Sequence, residues 1–278
     1  MASQPESVEH DHLPAWGLPA NAVDRIGRPQ IWPEQVTREW AWSGSTGKGI
    51  RVCVLDSGVE RGHPLVGAID RSVAISLVEG EIEVEDIDED LCGHGTACVS
   101  IIRSLAPDCE ISSMRVLGPR NTGSGGALLA ALQWAINERF DVVNMSLSTT
   151  KRDLVAILHE LADLAYFRRT LLVSSAHNMR VESFPWRFAS VISVGSHEGE
   201  DPLTFFYNPT PPVEFFARGL DVEVAWLGGG RIVASGNSFA TAHITGICAL
   251  ILGKHPGLAP FELKSVLSLT ANNVGGEG

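Results

Sequence analysis

Three short segments of the sequence each carry one residue type of a serine–histidine–aspartate catalytic triad. They are residues 54–58 (VLDSG), 93–96 (GHGT) and 236–240 (GNSFA). A serine hydroxyl becomes an effective nucleophile when an imidazole accepts its proton, and a carboxylate holds that imidazole in the required tautomer. The segments therefore predict Ser238 as nucleophile, His94 as general base and Asp56 as the group that orients the base.

Each residue also has an ordinary structural interpretation. An aspartate after a strand often lies in a turn, a histidine between glycines often lies in a loop, and a serine before an apolar helix often caps it. The prediction depends on their joint occurrence in the order Asp, His, Ser, with small residues beside each of them.

The hydrophobic pattern predicts the elements that must position these residues. Five apolar, largely β-branched segments predict buried strands: 50–55, 111–116, 142–145, 171–174 and 191–194. Amphipathic segments predict helices over 127–138 and 153–166, and apolar helical runs follow the histidine and serine motifs at 97–105 and 240–252. This alternation is typical of an α/β fold whose mostly parallel sheet is covered by helices on both faces. Functional residues gather at the carboxyl ends of strands in such folds, which agrees with the motifs.

Length and charge narrow the function. The 278 residues and 44% hydrophobic content suit one large domain. A net charge of −12 argues against nucleic acid or an anionic membrane as partner. The charge also favours cationic substrates, or it simply keeps the protein soluble. No run approaches the ~18 apolar residues of a membrane span.

The composition predicts three regions along the chain. A polar, proline-containing N-terminal arm is expected over residues 1–25, a single catalytic domain over residues 26–272 and a short tail over residues 273–278. No repeat or linker divides the central region.

The motifs and their order resemble those of the subtilase family, the subtilisin-like serine proteases. The family patterns Asp-Ser/Thr-Gly, His-Gly-Thr and Gly-Thr-Ser-Met-Ala are matched by 56–58, 94–96 and, with two replacements, 236–240. The resemblance extends over residues 26–272. It implies a single-domain subtilisin-like fold and hydrolysis of peptide or protein substrates through an acyl-enzyme.

Further segments resemble the parts of the family that bind substrate. Residues 175–178 resemble the segment that ends in the oxyanion-hole asparagine, which implies that Asn178 and the backbone N–H of Ser238 stabilise the oxyanion. Two other segments resemble the strands that flank the bound peptide. They imply substrate-binding roles for Gly123, Ser124, Gly125, Ser146, Leu147 and Ser148.

The sequence departs from the family beside the expected specificity pocket. His177 replaces a glycine, and Trp186 stands where the family has a small residue. A tryptophan in the wall would shrink the pocket, so we predict restricted specificity, with both residues contacting substrate. Arg180 could instead admit an acidic side chain, and Trp186 could turn away into the core.

Changes around the nucleophile raise a second interpretation. Asn237, Phe239 and Ala242 replace the usual threonine, methionine and proline. Asn237 could alter the support of the oxyanion. A catalytically silent peptide-binding protein is therefore the alternative to an active protease. A transpeptidase or cyclase working through the same acyl-enzyme is a third hypothesis.

Residues 79–90 contain eight carboxylates just before His94. Three interpretations are open. The carboxylates form a solvated surface, or Glu89 and Asp90 favour lysine or arginine in the substrate, or the cluster binds calcium. The loop that holds a strong calcium site in many subtilases is missing, because about a dozen residues join the histidine motif to the next strand. We expect no metal site and no required cofactor, calcium included.

The five cysteines are odd in number and lie in core-like segments. This indicates reduced thiols, with Cys98 packing in a helix and Cys92 near the cleft, where thiol reagents would affect activity. The N-terminus has no secretory pattern and the arm is shorter than a prosegment. A cytoplasmic protease that processes a peptide or protein precursor is therefore predicted, and the mature form of a secreted enzyme is the alternative. The sequence does not determine the oligomeric state.

Overall fold

A computed structural model of the chain describes residues 17–19, 22 and 32–274. It divides into two compact units, Met1–Glu34 and Gln35–Gly278. The described part of the predicted arm is limited to residues 17–19 and 22, and that of the predicted tail to residues 273 and 274. The boundary between the units lies later than the predicted end of the arm, and residues 23–31 are outside the described part.

The second unit contains both helices and strands in alternation. Its described strands are β1 (Arg51–Asp56), β2 (Arg71–Val78), β3 (Glu81–Asp86), β4 (Glu110–Arg115), β5 (Val142–Met145), β6 (Leu171–Ser175), β7 (Ile192–His197), β8 (Phe205–Tyr207), β9 (Phe215–Arg218), β10 (Val222–Trp226) and β11 (Gly230–Ala234). Its described helices are α1 (Arg38–Trp42), α2 (His94–Leu105), α3 (Gly125–Asn137), α4 (Val155–Phe167), α5 (Asn237–Lys254) and α6 (Pro260–Thr270), and a short 3₁₀ helix over Arg152–Leu154 precedes α4.

Nine strands form one sheet in the order β3-β2-β4-β1-β5-β6-β7-β9-β8, and β10 pairs with β11 in a separate hairpin. The seven inner strands pair in parallel, while β3 and β8 pair antiparallel at the two edges. The predicted α/β fold with a mostly parallel central sheet is therefore confirmed.

Alternation along β1 directs its last residue to the face where α2 lies. Cys53 and Leu55 belong to the hydrophobic cluster formed with α3 and α4. Successive side chains of a strand point to opposite faces, so Val54 and Asp56 face the other side. There, α2 and α5 pack against each other, α2 also packs on β1, and α5 packs on β5 and β6. Asp56 consequently points toward the first turn of α2.

The five predicted strands occur as β1 and β4–β7, and the predicted helices occur as α2–α5. The prediction missed the edge strands β3 and β8, their neighbours β2 and β9, the β10–β11 hairpin and the helices α1 and α6. The acidic run contributes β3, in which every residue is exposed. An edge strand needs backbone pairing with one neighbour but no buried face, so its hydrophobic signal is weak.

Candidate active site

The end of β1 and the beginning of α2 bring Asp56 and His94 together. His94 Nδ1–H donates a hydrogen bond of 2.7 Å to Asp56 Oδ1. The Asp56 carboxylate is fully buried, while the His94 side chain keeps 15% of its surface exposed. Gly95 allows this approach, because a Cβ at residue 95 would overlap the carbonyl oxygen of Gly58. The pair thus has a buried orienting group and a base that still reaches the cleft.

Charge keeps the pKa of His94 above its usual value of 6.5. Burial by itself lowers this pKa, but the charge of Asp56, its hydrogen bond and the charge of Asp90 together outweigh burial. A neutral imidazole is needed to accept a proton. Any activity that uses His94 as base should therefore fall as the pH drops through this raised pKa.

Ser238 lies in the first turn of α5, with 7% of its surface exposed. Its Oγ–H donates to the carbonyl oxygen of Ser146 at 3.3 Å. Ser238 Oγ makes no hydrogen bond to His94, although Ser238 and His94 line the same cleft. Catalytic hydrogen bonds are often absent or long without substrate. A rotation of the serine side chain is needed to bring Oγ to the imidazole.

Asn178 lines the same cleft as Ser238 and His94. Its Oδ1 accepts a hydrogen bond of 3.0 Å from the backbone N–H of Asn237. The oxygen end of the amide is thereby occupied, which leaves the Nδ2 donor for a ligand. The backbone N–H of Ser238 belongs to the first turn of α5, where N–H groups have no intrahelical partner. Two donors suited to an oxyanion thus lie beside the serine.

Asn237 ties the oxyanion segment to the sheet through its side chain. Its Nδ2 donates to the carbonyl oxygen of Ala176 at 3.0 Å, and its Oδ1 accepts from the N–H and the Oγ–H of Ser196, both at 2.9 Å. The residue that replaces the family's threonine thus joins β7, α5 and the loop before Asn178. Sequence reasoning flagged Asn237 as a departure but did not predict these contacts.

The cleft around these groups has a volume of about 450 Å³. Seven of the eight predicted substrate-binding residues line it, and these are Gly123, Ser124, Gly125, Ser146, Leu147, Ser148 and His177. His177 Nδ1 accepts a hydrogen bond from the N–H of Met179. Lys151 also lines the cleft.

Trp186 is the exception, and the prediction that it contacts substrate in the pocket wall is corrected by its position. It is not among the residues that line the cleft, and only 7% of its surface is exposed. Its Nε1–H donates to Ser183 Oγ at 2.8 Å, and Ser148 Oγ lies 3.0 Å from the same hydroxyl. Burial of the large indole is favoured when its polar N–H has a partner, which Ser183 supplies. Ser148 and Ser183 therefore separate Trp186 from the cleft, as in the alternative interpretation of the sequence.

The charged residues that were expected near the substrate also lie elsewhere. Neither Arg180 nor any residue of 79–90 lines the cleft. Glu89 is exposed and pairs with Arg115 at 3.0 Å. Asp90 is buried and accepts hydrogen bonds from its neighbours. The interpretation that Glu89 and Asp90 contact a basic substrate directly is thus not supported by the structure.

The two cysteines beside His94 have different environments. Cys92 is partly exposed, and its Sγ–H donates at 2.8 Å to Oδ1 of Asn121, a cleft residue. Cys98 is fully buried in α2, and burial together with the charge of Asp56 raises its thiol pKa well above the usual value. In the described part of the chain, Asp56, His94 and Cys98 form the one cluster of three metal-binding residue types. That cluster contains two members of the candidate triad.

His243 in α5 gives a prediction about stability. It is 2% exposed, and burial lowers its pKa to about 4, an effect opposed by its hydrogen bond to the Phe239 carbonyl and reinforced by the charge of Arg218. An unfolded chain binds a proton there near pH 6.5, so stability should fall as the pH drops from 6.5 to about 4, by about 3 kcal/mol in total.

Replacing His243 with leucine should remove this contribution. The free energy of unfolding, measured against pH in a Ser238→Ala background to prevent autolysis, should then depend less steeply on pH between 4 and 6.5. The same replacement at the exposed His159 is the control, and the slope should change more in the His243 variant than in this one. An unchanged slope in the His243 variant would contradict the assignment.

Comparison with known proteins supports the family suggested by the motifs. The subtilase family model matches residues 47–278. The chain is 30% identical over 267 residues to the minor extracellular protease Epr of Bacillus subtilis (strain 168), which covers 92% of this chain and 40% of Epr. It is 29% identical over 243 residues to subtilisin Savinase of Lederbergia lenta, covering 84% of this chain and 87% of Savinase.

A solved structure gives the same result. The crystal structure of a cold adapted subtilisin-like serine proteinase matches with a TM-score of 0.68 and 26% identity, over 81% of this chain and 83% of that one. The parallel sheet, the cleft at its strand ends and the order of the motifs agree with this likeness. The chain belongs to the subtilase family.

Proposed function

We propose that this protein is a serine endopeptidase that hydrolyses peptide bonds through an acyl-enzyme on Ser238. The observation that carries the proposal is the 2.7 Å hydrogen bond between His94 and the buried Asp56, in a cleft that also contains Ser238 and Asn178. Family membership supports the same reaction class. Peptides or proteins are the proposed substrates.

The geometry supports a defined sequence of proton transfers. Ser238 Oγ turns from the Ser146 carbonyl to His94 Nε2, transfers its proton and attacks the scissile carbonyl carbon. Asp56 stabilises the resulting imidazolium. Asn178 Nδ2 and the Ser238 N–H stabilise the tetrahedral oxyanion. His94 then protonates the leaving amine, and a water molecule, deprotonated by His94, releases the acid product and restores Ser238.

A fluorophosphonate probe tests the nucleophile directly. The wild-type protein should be labelled, and the Ser238→Ala variant should not. Ser148→Ala, which changes another cleft serine, is the matched control and should be labelled. Absence of labelling in folded wild-type protein would overturn the proposal and favour a silent peptide-binding protein.

Asn178 gives a kinetic prediction for the oxyanion site. Asn178→Ala should lower kcat by about 10²- to 10³-fold with little change in KM, because the donor acts mainly in the transition state. Asn121→Ala, which removes another cleft amide, should have a much smaller effect on kcat. A change confined to KM would show that Asn178 binds the ground state instead. Steady-state hydrolysis of a peptide ester and a peptide amide provides both constants.

Hydrolysis and transpeptidation share the acyl-enzyme and differ in the acceptor. The proposal assigns water as the acceptor. Adding a peptide amine during turnover and measuring the ratio of ligated to hydrolysed product by mass spectrometry tests this assignment. Predominant ligation at millimolar amine would identify a transpeptidase or cyclase.

We further propose that the enzyme cleaves a restricted set of sites in a precursor. The support is a chain of hydrogen bonds that leads away from the cleft: Ser148 in the cleft wall bonds Ser183, and Ser183 bonds the Trp186 indole. The buried indole fills the space behind Ser148 and Ser183, so this part of the cleft wall has little room to move back for a large substrate side chain. Digestion of a peptide library should give few sites, with small residues before the scissile bond. Frequent cleavage after large aromatic residues would contradict this.

The proposed location is the cytoplasm. The five cysteines are free, and four of them are buried, which is compatible with a reducing compartment. Cell fractionation with detection of the native protein tests this proposal, and recovery from the medium would contradict it. Epr, by contrast, is named as an extracellular protease.

The charge supports a further proposal, that nucleic acids and membranes are not partners. The net charge is −12, which disfavours contact with the phosphate groups of nucleic acids and anionic membranes. Sedimentation with DNA or with anionic vesicles should leave the protein unbound.

A further inference from the structure

Asp90 has an unusual environment for a residue of an acidic run. Only 7% of its surface is exposed, and its carboxylate accepts five hydrogen bonds. Oδ1 accepts from Ser57 Oγ–H at 2.7 Å and from the N–H groups of Cys92 and Gly93 at 3.0 and 2.9 Å. Oδ2 accepts from the N–H and the Oγ–H of Thr96 at 2.8 and 2.7 Å. Every one of these donors lies within three residues of Asp56 or His94.

The donors belong to both elements of the candidate triad. Ser57 follows Asp56 at the end of β1, while Gly93 and Thr96 flank His94 at the beginning of α2. Ser57 Oγ also accepts from the Gly95 N–H at 3.1 Å, so a continuous chain runs from α2 through Ser57 to Asp90. A charged acceptor at a helix N-terminus is favourable because the N–H groups there have no intrahelical partner.

We propose that Asp90 is a positioning residue that joins the end of β1 to the first turn of α2 and so holds His94 against Asp56. The proposal rests on the proposed function only where it says that this alignment serves the reaction of Ser238. Gly93 contributes through its left-handed backbone (φ +87°), which lets the chain turn from Asp90 into α2. A displacement of about 1 Å at a catalytic base can cost about 10²-fold in rate.

Asp90 also acts on His94 through its charge. Within the described part of the chain, the charged or titratable groups that act on or lie beside His94 are Asp56 from β1, Asp90 from the preceding loop and the Cys98 thiol from α2. Burial disfavours the imidazolium, but the charge of Asp56, its hydrogen bond and the charge of Asp90 together outweigh burial. Removal of the Asp90 charge should therefore lower the pKa of His94.

Glu89 provides the matched control for Asp90. It is the adjacent carboxylate, its side chain is 68% exposed, and it pairs with Arg115 instead of contacting the first turn of α2. Glu89→Gln removes the same charge from the sequence, one residue away, without removing a bond to either triad element.

Two measurements test the proposal. In a Ser238→Ala background, an NMR titration of the His94 imidazole should give a lower pKa for Asp90→Asn and a smaller change for Glu89→Gln. In the active background, at a pH where His94 is neutral in every variant, Asp90→Asn should lower the second-order rate of fluorophosphonate labelling by about 10- to 100-fold. Glu89→Gln should label like the wild type. Equal pKa changes, or an unchanged labelling rate in Asp90→Asn, would overturn the proposal.

Ser57→Ala keeps the proposal testable if Asp90→Asn does not fold. This variant preserves the Asp90 charge and removes the hydroxyl that joins the end of β1 both to Asp90 and to the Gly95 N–H. It should fold, label more slowly than the wild type and keep the His94 pKa closer to its wild-type value than Asp90→Asn does. A wild-type labelling rate would overturn the proposal. If the wild type itself is not labelled, the proposed function fails, while the titration still shows whether Asp90 acts on His94.

Discussion

Ser238→Ala is expected to lower kcat/KM for peptide hydrolysis by about 10⁶-fold, the order of loss seen when the nucleophile of a subtilisin is removed. Alanine leaves the Asp56–His94 hydrogen bond in place but provides no atom that can be acylated. The oxyanion donors at Asn178 and at residue 238 remain, so a residual acceleration over water should persist.

Purification is the main concern for so large a loss, because traces of another protease would hide it. Ser148→Ala, prepared in the same way, is the control and should keep the activity within about tenfold, as expected for a cleft residue that transfers no proton. Hydrolysis by the purified Ser238→Ala variant within tenfold of the wild type would show that a different group is the nucleophile.

Asp56→Asn is expected to lower kcat by about 10⁴-fold. The amide Nδ2 of asparagine would face His94 Nδ1 and favour the tautomer whose Nε2 carries the proton, and that tautomer cannot accept the proton of Ser238. The buried position adds to the effect, because the fully buried side chain at residue 56 is the group that orients the imidazole from within the protein. The variant should also lose the raised pKa of His94, for which the charge of Asp56 is the largest favourable cause.

The pH profile of the variant separates this mechanism from a loss of fold. The acidic limb of the pH profile of kcat/KM should move to lower pH in Asp56→Asn. A thermal unfolding midpoint well above the assay temperature shows that the variant is folded during the measurement. Asp88→Asn is the control, because Asp88 is an exposed carboxylate that pairs with Arg61 on the surface. An Asp56→Asn variant with a rate within tenfold of the wild type would exclude the proposed role of this carboxylate.

The sequence was most informative where a motif adjoins an element with a strong hydrophobic pattern. Asp56 ends a strand of buried residues, and His94 and Ser238 lie in the first turns of buried helices. Because those elements could be predicted, so could the contact of Asp56 with His94 and the placement of His94 and Ser238 in one cleft. The glycines and serines of the cleft followed from the resemblance of short segments.

Contacts between residues far apart in sequence could not be predicted in the same way. Trp186 has the volume of a pocket wall, but its direction depends on Ser183 and on the buried surface behind Ser148. Asp90 belongs to a run of eight carboxylates, and the composition of the run does not show which of them is buried. One local signal distinguished it: a carboxylate four residues before His94 is well placed to accept from the first N–H groups of the following helix.

The exposed acidic strand β3 has a consequence for how copies of the protein meet. It is an edge of the nine-stranded sheet, and its outer backbone groups are the natural place for a second sheet to add. A second copy that approached edge to edge would bring its own Glu81, Glu83 and Glu85 beside these same residues. Like charges on neighbouring strands repel, so the run protects a concentrated solution of the protein against growth into extended β assemblies.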